Sequence, residues 1–328
     1  MDEKGFQAYL FERKLITEDK LEACLAMARR FEAHLEQEPE TPAAMRAWEF
    51  TRTLVEQKAD NWDNLLTLLR YAYFTRQDDI YVAIMELLDG YEAQGNLYKR
   101  VGERYGDDVR DRVFDGIGLA PLGLPTPEKP AFMHPVIERL QAEVGQADCI
   151  ELLSSSLRDL PDEYYLDERE KYQQAADIDA FLVQKKAEFI TQLETLMREG
   201  RLFFSQPITP EVIEFVRQDP EIGGGARQGS VIYESKIPYM TQAYLDETDE
   251  TRKRYYYCHC PWSRDAILSG EQVNANFCNC SAGFHKRNWE VIFGQTLQVE
   301  VLETVLLGDA RCRFAIHLPE DALDANIA

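Results

Sequence analysis

The chain has 328 residues, 45% of them hydrophobic and 29% charged, and its 58 Asp and Glu outnumber 36 Lys and Arg for a formal net charge of −22. Such a field repels phosphate backbones and anionic headgroups, which argues against nucleic acid or a membrane surface as partner. No apolar run approaches the ~20 residues of a spanning helix, and the length is more than one core comfortably fills, so two units are expected.

The opening Met-Asp-Glu-Lys-Gly-Phe has no basic stretch leading into an apolar one, which speaks against a secretory leader and for a cytoplasmic protein. Residues 1–117 read as an acidic, all-helical domain. Leu21–Phe31 and Trp62–Tyr73 carry apolar side chains at three-and-four spacing, and Thr17 and Asp60 stand where helices begin. Residues 118–135 hold five prolines, which offer no N–H, and read as a connector. From 136 to 230 a helical middle region follows. It has helices near Val136–Val144 and Cys149–Leu157, a long charged helix over Glu163–Arg198, a strand at Leu202–Phe204 and a helix from Pro210. The run Gly223-Gly-Gly225 lacks a following Gly-Lys-Ser/Thr, so it reads as a turn or lid rather than a phosphate loop.

Residues 231–328 form the cysteine-rich part. Arg254–Cys260 reads as a strand, Ser263–Leu268 as a short helix, Phe277–Cys280 as a strand entering a helix over Ser281–Phe293, and Gln298–Leu307 with Cys312–Leu318 as a hairpin around Gly308-Asp309. Five of the seven cysteines and three of the five histidines lie between Tyr255 and His317. An odd number of cysteines in tight pairs reads as thiols in a reducing compartment rather than as a disulfide framework.

In a strand, residues two apart share a face, so Cys258 with Cys260 and Cys278 with Cys280 can aim four sulfurs at one point. That donor set suits tetrahedral zinc, with Cys312, His259 and His285 in reserve; iron, or no metal at all, stays open. An alternative is nucleophilic chemistry. Cys280 near a helix N-terminus would have a lowered thiol pKa, with His285 or His317 as general base, making a cysteine-dependent hydrolase. Arg254, Arg264 and Trp262 are ligand-binding candidates beside the cluster. Arg254 and Arg264, with Lys286, Arg287, Arg311 and Arg313, would steady thiolates or receive a small anionic ligand, or else balance the acidic bundle; Trp262 doubles as a core residue. A scaffold without chemistry is the third reading.

The arrangement Cys258-x-Cys260, Phe277-Cys-x-Cys-Ser-Ala-Gly-Phe284, Trp289-Glu290 and Gly308-Asp-x-x-Cys312-x-Phe314 resembles the 4-vinyl reductase domain and the related 2-aminothiazoline-4-carboxylate hydrolase family over the last 95 or so residues. The resemblance implies an antiparallel sheet packed on helices around a small-molecule pocket, often in a homodimer. With the helical N-terminal bundle, the whole is then an α+β protein. It also implies zinc near the closing signature, with Cys312 as one ligand. The companion cysteine expected four residues before Gly308 is Thr304 here, and the acid expected seven before it is Val301.

Overall fold

The computed structural model describes residues 1–37, 39–155, 157–158 and 160–319, and it divides into two compact units. The first comprises Met1–Tyr91 with Leu119–Lys129, and the second Glu92–Gly118 with everything from Pro130. Among the described residues no helix is long and apolar enough to cross a membrane.

The first unit is built from α1 (Glu3–Glu12), α2 (Leu21–Leu35), α3 (Ala43–Glu56), α4 (Trp62–Phe74) and α5 (Asp78–Leu88). Their apolar stripes meet in one core that includes Phe6, Phe31, Leu54, Leu68, Tyr71 and Ile84. Asn61 rather than Asp60 caps α4, taking the Asn64 N–H on its side chain. Asp60 instead accepts from the backbone N–H of Leu122 at 3.1 Å, holding the returning segment 119–129 to this unit. Lys129, fully buried, donates to the Glu86 and Leu87 carbonyls at the end of α5. The proline-rich stretch is therefore packed structure, and the chain passes between units at 91/92, 118/119 and 129/130.

The second unit starts with α6 (Glu92–Tyr105) and α7 (Asp107–Phe114) and resumes with α8 (Lys129–Val144) and α9 (Gln146–Leu153). Pro130 stands in the first turn of α8, where a missing N–H costs nothing. Pro135 lies inside α8. Its lost bond would have gone to Ala131, which is exposed, so solvent can take that carbonyl. The long charged run breaks at 175–177 into α10 (Leu166–Gln174) and α11 (Ile178–Glu199), the latter started by the Asp177 side chain accepting from Ala180 N–H. The strand at Leu202–Phe203 pairs with Gln206–Pro207 in a small hairpin, and α12 (Pro210–Gln218) follows.

The main sheet is wholly antiparallel. Naming its strands β1 (Ala226–Gln228), β2 (Val231–Ser235), β3 (Gln298–Glu303) and β4 (Arg313–His317), the order is β1-β2-β4-β3. Ile232, Ile316 and Val299 lie in register and pack with Phe181 of α11 and with Trp289 and Ile292 of the helix at Cys278–Phe293. An α+β architecture, with helices first and an antiparallel sheet on helices last, is what the chain adopts. The hairpin of β3 and β4 forms as its alternation predicts, but a 3₁₀ turn at Val305–Leu307 precedes Gly308, so the connection is longer than a two-residue turn. Arg254–Cys260 is not a strand: α13 (Thr241–Asp246) and α14 (Glu250–Tyr257) occupy this region, and Asp249 caps α14 through Arg252 N–H. Three successive tyrosines have strand propensity, but that local preference yields to the cap and to packing.

Candidate functional site

Three stretches converge at one end of the sheet. The first is the turn after α14, which carries Cys258, His259 and Cys260; Tyr257 donates from its hydroxyl to the Lys236 carbonyl at 2.6 Å, anchoring that turn to the end of β2. After α15 (Arg264–Ser269), the second is the start of α16 (Cys278–Phe293). The third runs from Thr304 through the 3₁₀ turn to Cys312. Because β2 and β4 are neighbours with Ser235 opposite Arg313, the next residues, Lys236 and Cys312, also meet, and the Lys236 N–H donates to the Cys312 carbonyl at 3.4 Å.

Cys278 and Cys280 are on a helix, not a strand, so their side chains leave about 200° apart rather than together. Cys278 turns toward Thr304, its sulfur 3.0 Å from the Thr304 hydroxyl, which also contacts Cys312. Cys280 turns the other way, where Arg158 and Glu92 act on it as well as Cys260 and Lys236. The mutually interacting set is therefore Cys258, Cys260, Cys278 and Cys312, in which ionising one thiol is opposed by its neighbours. Cys312 takes the place expected for Cys280. None of the seven cysteines forms a disulfide, and Cys24 and Cys149 are core residues elsewhere.

Burial keeps these sulfurs protonated. It drives Cys258 and Cys278 well above the usual thiol range and Cys280 up to about 12. Cys312 is also raised by burial, against the lowering effect of the Val305 N–H, the Lys236 ammonium and Thr304. The lowered pKa expected for Cys280 does not arise. A 3₁₀ turn at Ala275–Phe277 runs directly into α16 and takes the Cys278 N–H on its own carbonyls.

Two imidazoles stand beside the thiols. His259 Nε2 is 2.6 Å from the Ile237 carbonyl, so that nitrogen carries the proton, and burial lowers the ring pKa to about 3. His285 Nδ1 is 2.6 Å from Glu234, whose other oxygen accepts from Trp289 Nε1 at 2.9 Å. Burial would raise the Glu234 carboxyl, but the His285 and Trp289 donors outweigh it and hold the group below its ordinary range; burial lowers His285. His317 is elsewhere: it pairs with Glu300 at 2.7 Å, at the opposite end of β4 from Cys312 and some 16 Å along the strand by ordinary rise. It cannot serve Cys280 as a base.

The ligand-binding candidates have structural partners. Trp262 and Arg264 are 1% exposed, and the Arg264 guanidinium lies over the Tyr239 ring at 4.6 Å and the Tyr255 ring at 5.3 Å. Arg254 donates to the Val305 carbonyl at 3.2 Å. Arg311 and Arg313 are engaged by Glu221, Asp219 and Glu303. Lys286 and Arg287 likewise pair with Glu290, so acid balance is realised for these four cations, while Arg254 and Arg264 meet a carbonyl and aromatic rings.

Lys236, Ser281 and Glu234 belong to the site without having been singled out from the sequence, and Thr304, noted there only as standing in a cysteine's place, belongs to it too. Glu234 carried a readable signal, an acid on the same strand face as the core residue Ile232. The others are located by strand pairing alone. Lys236 donates from Nζ to Ser281 Oγ, and its charge acts on Cys278, Cys280, Cys312, His259 and His285. As placed, and among the described residues, no three His, Cys, Asp or Glu side chains are grouped as a metal ion would hold them. The donor chemistry, four thiols, nonetheless suits a soft cation.

Fold and site together define an α+β protein with a buried thiol cluster at one end of its sheet. Residues 240–323, which contain all five clustered cysteines, match the model of a family of unknown function, DUF6144. No curated protein matches the chain, and no solved structure does.

Proposed function

We propose that the second unit is a thiol-based binding module that takes up a soft divalent cation, zinc foremost, through Cys258, Cys260, Cys278 and Cys312, and binds a small molecule beside it. The observation that carries this reading is that four thiols from three separate stretches lie within one another's electrostatic reach with no disulfide among them. Inert core cysteines have no reason to collect in this way. A cation would replace the thiol protons and supply a constraint tying the turn after α14, the start of α16 and the β3–β4 connection together. Thiols of this kind stay reduced in a cytoplasmic setting. Metal analysis of purified protein tests the reading. About one metal per chain is expected, lost in Cys278→Ser and Cys312→Ser and kept in Cys24→Ser. Metal-free protein whose melting is unmoved by chelator or added zinc overturns it.

A second reading, a cysteine-dependent hydrolase of a small cyclic amide or thiazoline, draws on one observation: His285 is oriented through Nδ1 by a buried carboxylate, as general bases often are. Its nucleophile would be Cys280 or Cys278, both kept protonated by burial. Mapping iodoacetamide labelling separates the two readings. One cysteine that reacts fast at neutral pH favours hydrolysis, and uniformly slow thiols favour the cation.

A further inference from the structure

Lys236 is an unusual cation for this protein. Acid outnumbers base by 58 to 36, and the arginines nearest to it, Arg311 and Arg313, are both held by carboxylates. Lys236 instead hydrogen bonds to a serine hydroxyl, and among the described residues no carboxylate stands within ion-pair distance of its Nζ. The closest acid in sequence, Glu234, shares that strand face and also meets α16, but His285 and Trp289 occupy its two oxygens. Around the ammonium are Cys278, Cys312, His259 and His285, groups that bring polarity without a compensating negative charge. Lys236 and Ser281 are half-buried, as are Cys260, Cys278, Cys312 and both imidazoles, whereas Cys258 and Cys280 are buried, so the lysine and the serine lie at the outer side of the cluster.

A cation partly withdrawn from water and given no counter-ion is costly unless an anion joins it. Where the half-buried Lys186 meets no carboxylate, three backbone carbonyls take its ammonium; Lys236 has a single hydroxyl in their place, which leaves its remaining N–H groups for an incoming charge. We infer that Lys236 and Ser281 receive the carboxylate of a small organic acid beside Cys278 and Cys312. A single positive charge and one hydroxyl match a monoanionic carboxylate better than a doubly charged phosphate, and the hydroxyl, relieved of the ammonium, can donate to the second oxygen. This goes beyond the cation-binding reading and does not need it: the receiving groups are a lysine and a serine, neither of them a cation ligand.

The test uses full-length protein stripped with chelator, so that its outcome is independent of metal content. Two alkylating probes of similar size are compared at Cys312 and Cys278 by peptide mass mapping: iodoacetate, which carries a carboxylate, and iodoacetamide, which does not. With wild type, the iodoacetate-to-iodoacetamide rate ratio at these cysteines should exceed that of unfolded protein by roughly tenfold, and acetate should compete more strongly than inorganic phosphate or chloride. Lys236→Met should remove the excess, Lys236→Arg should keep most of it, and Ser281→Ala should reduce it part of the way, with circular dichroism confirming that each variant is folded. If folded Lys236→Met keeps the wild-type ratio, or if phosphate competes as well as acetate, the assignment is wrong. Should Lys236→Met fail to fold, Ser281→Ala and the competition series decide alone.

Discussion

At the scale of single residues, Thr304 holds the thiols apart and together at once. Its hydroxyl contacts Cys278 and Cys312, and it also accepts from the Leu306 N–H to start the 3₁₀ turn before Gly308. Replacing it by Val, which keeps the shape, should cost about 1 kcal/mol in a denaturant titration, the usual effect of an unmade hydrogen bond. Thr304→Cys puts a fifth sulfur at this point. On the cation-binding reading it should tighten zinc by roughly tenfold in a competition against a chelator, and an unchanged affinity would count against that reading. Glu234 carries a different burden. As a buried carboxylate holding both His285 and Trp289, its change to Gln leaves one donor without an acceptor, and a loss of about 2–3 kcal/mol is expected from thermal or urea unfolding.

Between single residues and the whole chain stand the elements, whose joins are specified by a few close approaches. Gly223 has φ +81°, and a Cβ there would come within 2.1 Å of the Phe189 ring carbon of α11. Backbone conformation and space both exclude a side chain, so the glycine run is a turn pressed against a helix, and Gly223→Ala should destabilise by about 2–4 kcal/mol. The start of β4 is tied to the segment after α12 by Glu221, which Arg313 grips through Nε and Nη2 and to which Ser235 donates at 2.8 Å. Burial pushes the Glu221 carboxyl up, but Arg313, Ser235 and Arg311 together bring it below its ordinary value. A carboxylate with a depressed folded-state pKa stabilises fully above the usual carboxylate range, and its contribution disappears as pH falls through the depressed value. Unfolding followed from pH 7 to pH 3 should therefore show a loss of stability that Glu221→Gln lacks. The same variant should be weaker than wild type by about 1–3 kcal/mol at neutral pH, because two arginines lose one of their carboxylate partners and keep Asp219 and Glu303.

For the molecule as a whole, charge is the dominant fact. A net −22 over 328 residues sets the acidic helices against one another, so moderate salt should raise the melting temperature of the native protein, most steeply below ~0.1 M, where the screening length is longest. A melting temperature that falls with added sodium chloride would show that attraction within ion pairs outweighs the general repulsion. The chain also leaves its first unit at Tyr91 and returns to it at Leu119, so cutting at a sequence-based boundary near 117 would strip Leu119–Lys129 from the core it completes.

Much of this architecture was legible in the amino-acid order. Three-and-four spacing marks the helices of the first unit, and alternation with a Gly-Asp turn marks the last hairpin, because each is a local pattern that buries one face. The gathering of chemistry in residues 255–317 was likewise visible from composition. What local pattern could not reveal was whether Cys278 and Cys280 share a face, since that depends on a helix beginning one turn earlier than the spacing suggested. Nor could it show that β2 lies beside β4, a pairing across some eighty residues that brings Lys236 to Cys312 and sends His317 to the far end of the sheet. Sequence determined the periodicities and the inventory of thiols. Tertiary pairing decided which thiols meet and which cation stands among them, because register between distant strands is set by the shared core of Ile232, Ile316 and Val299 and by nothing adjacent in the chain.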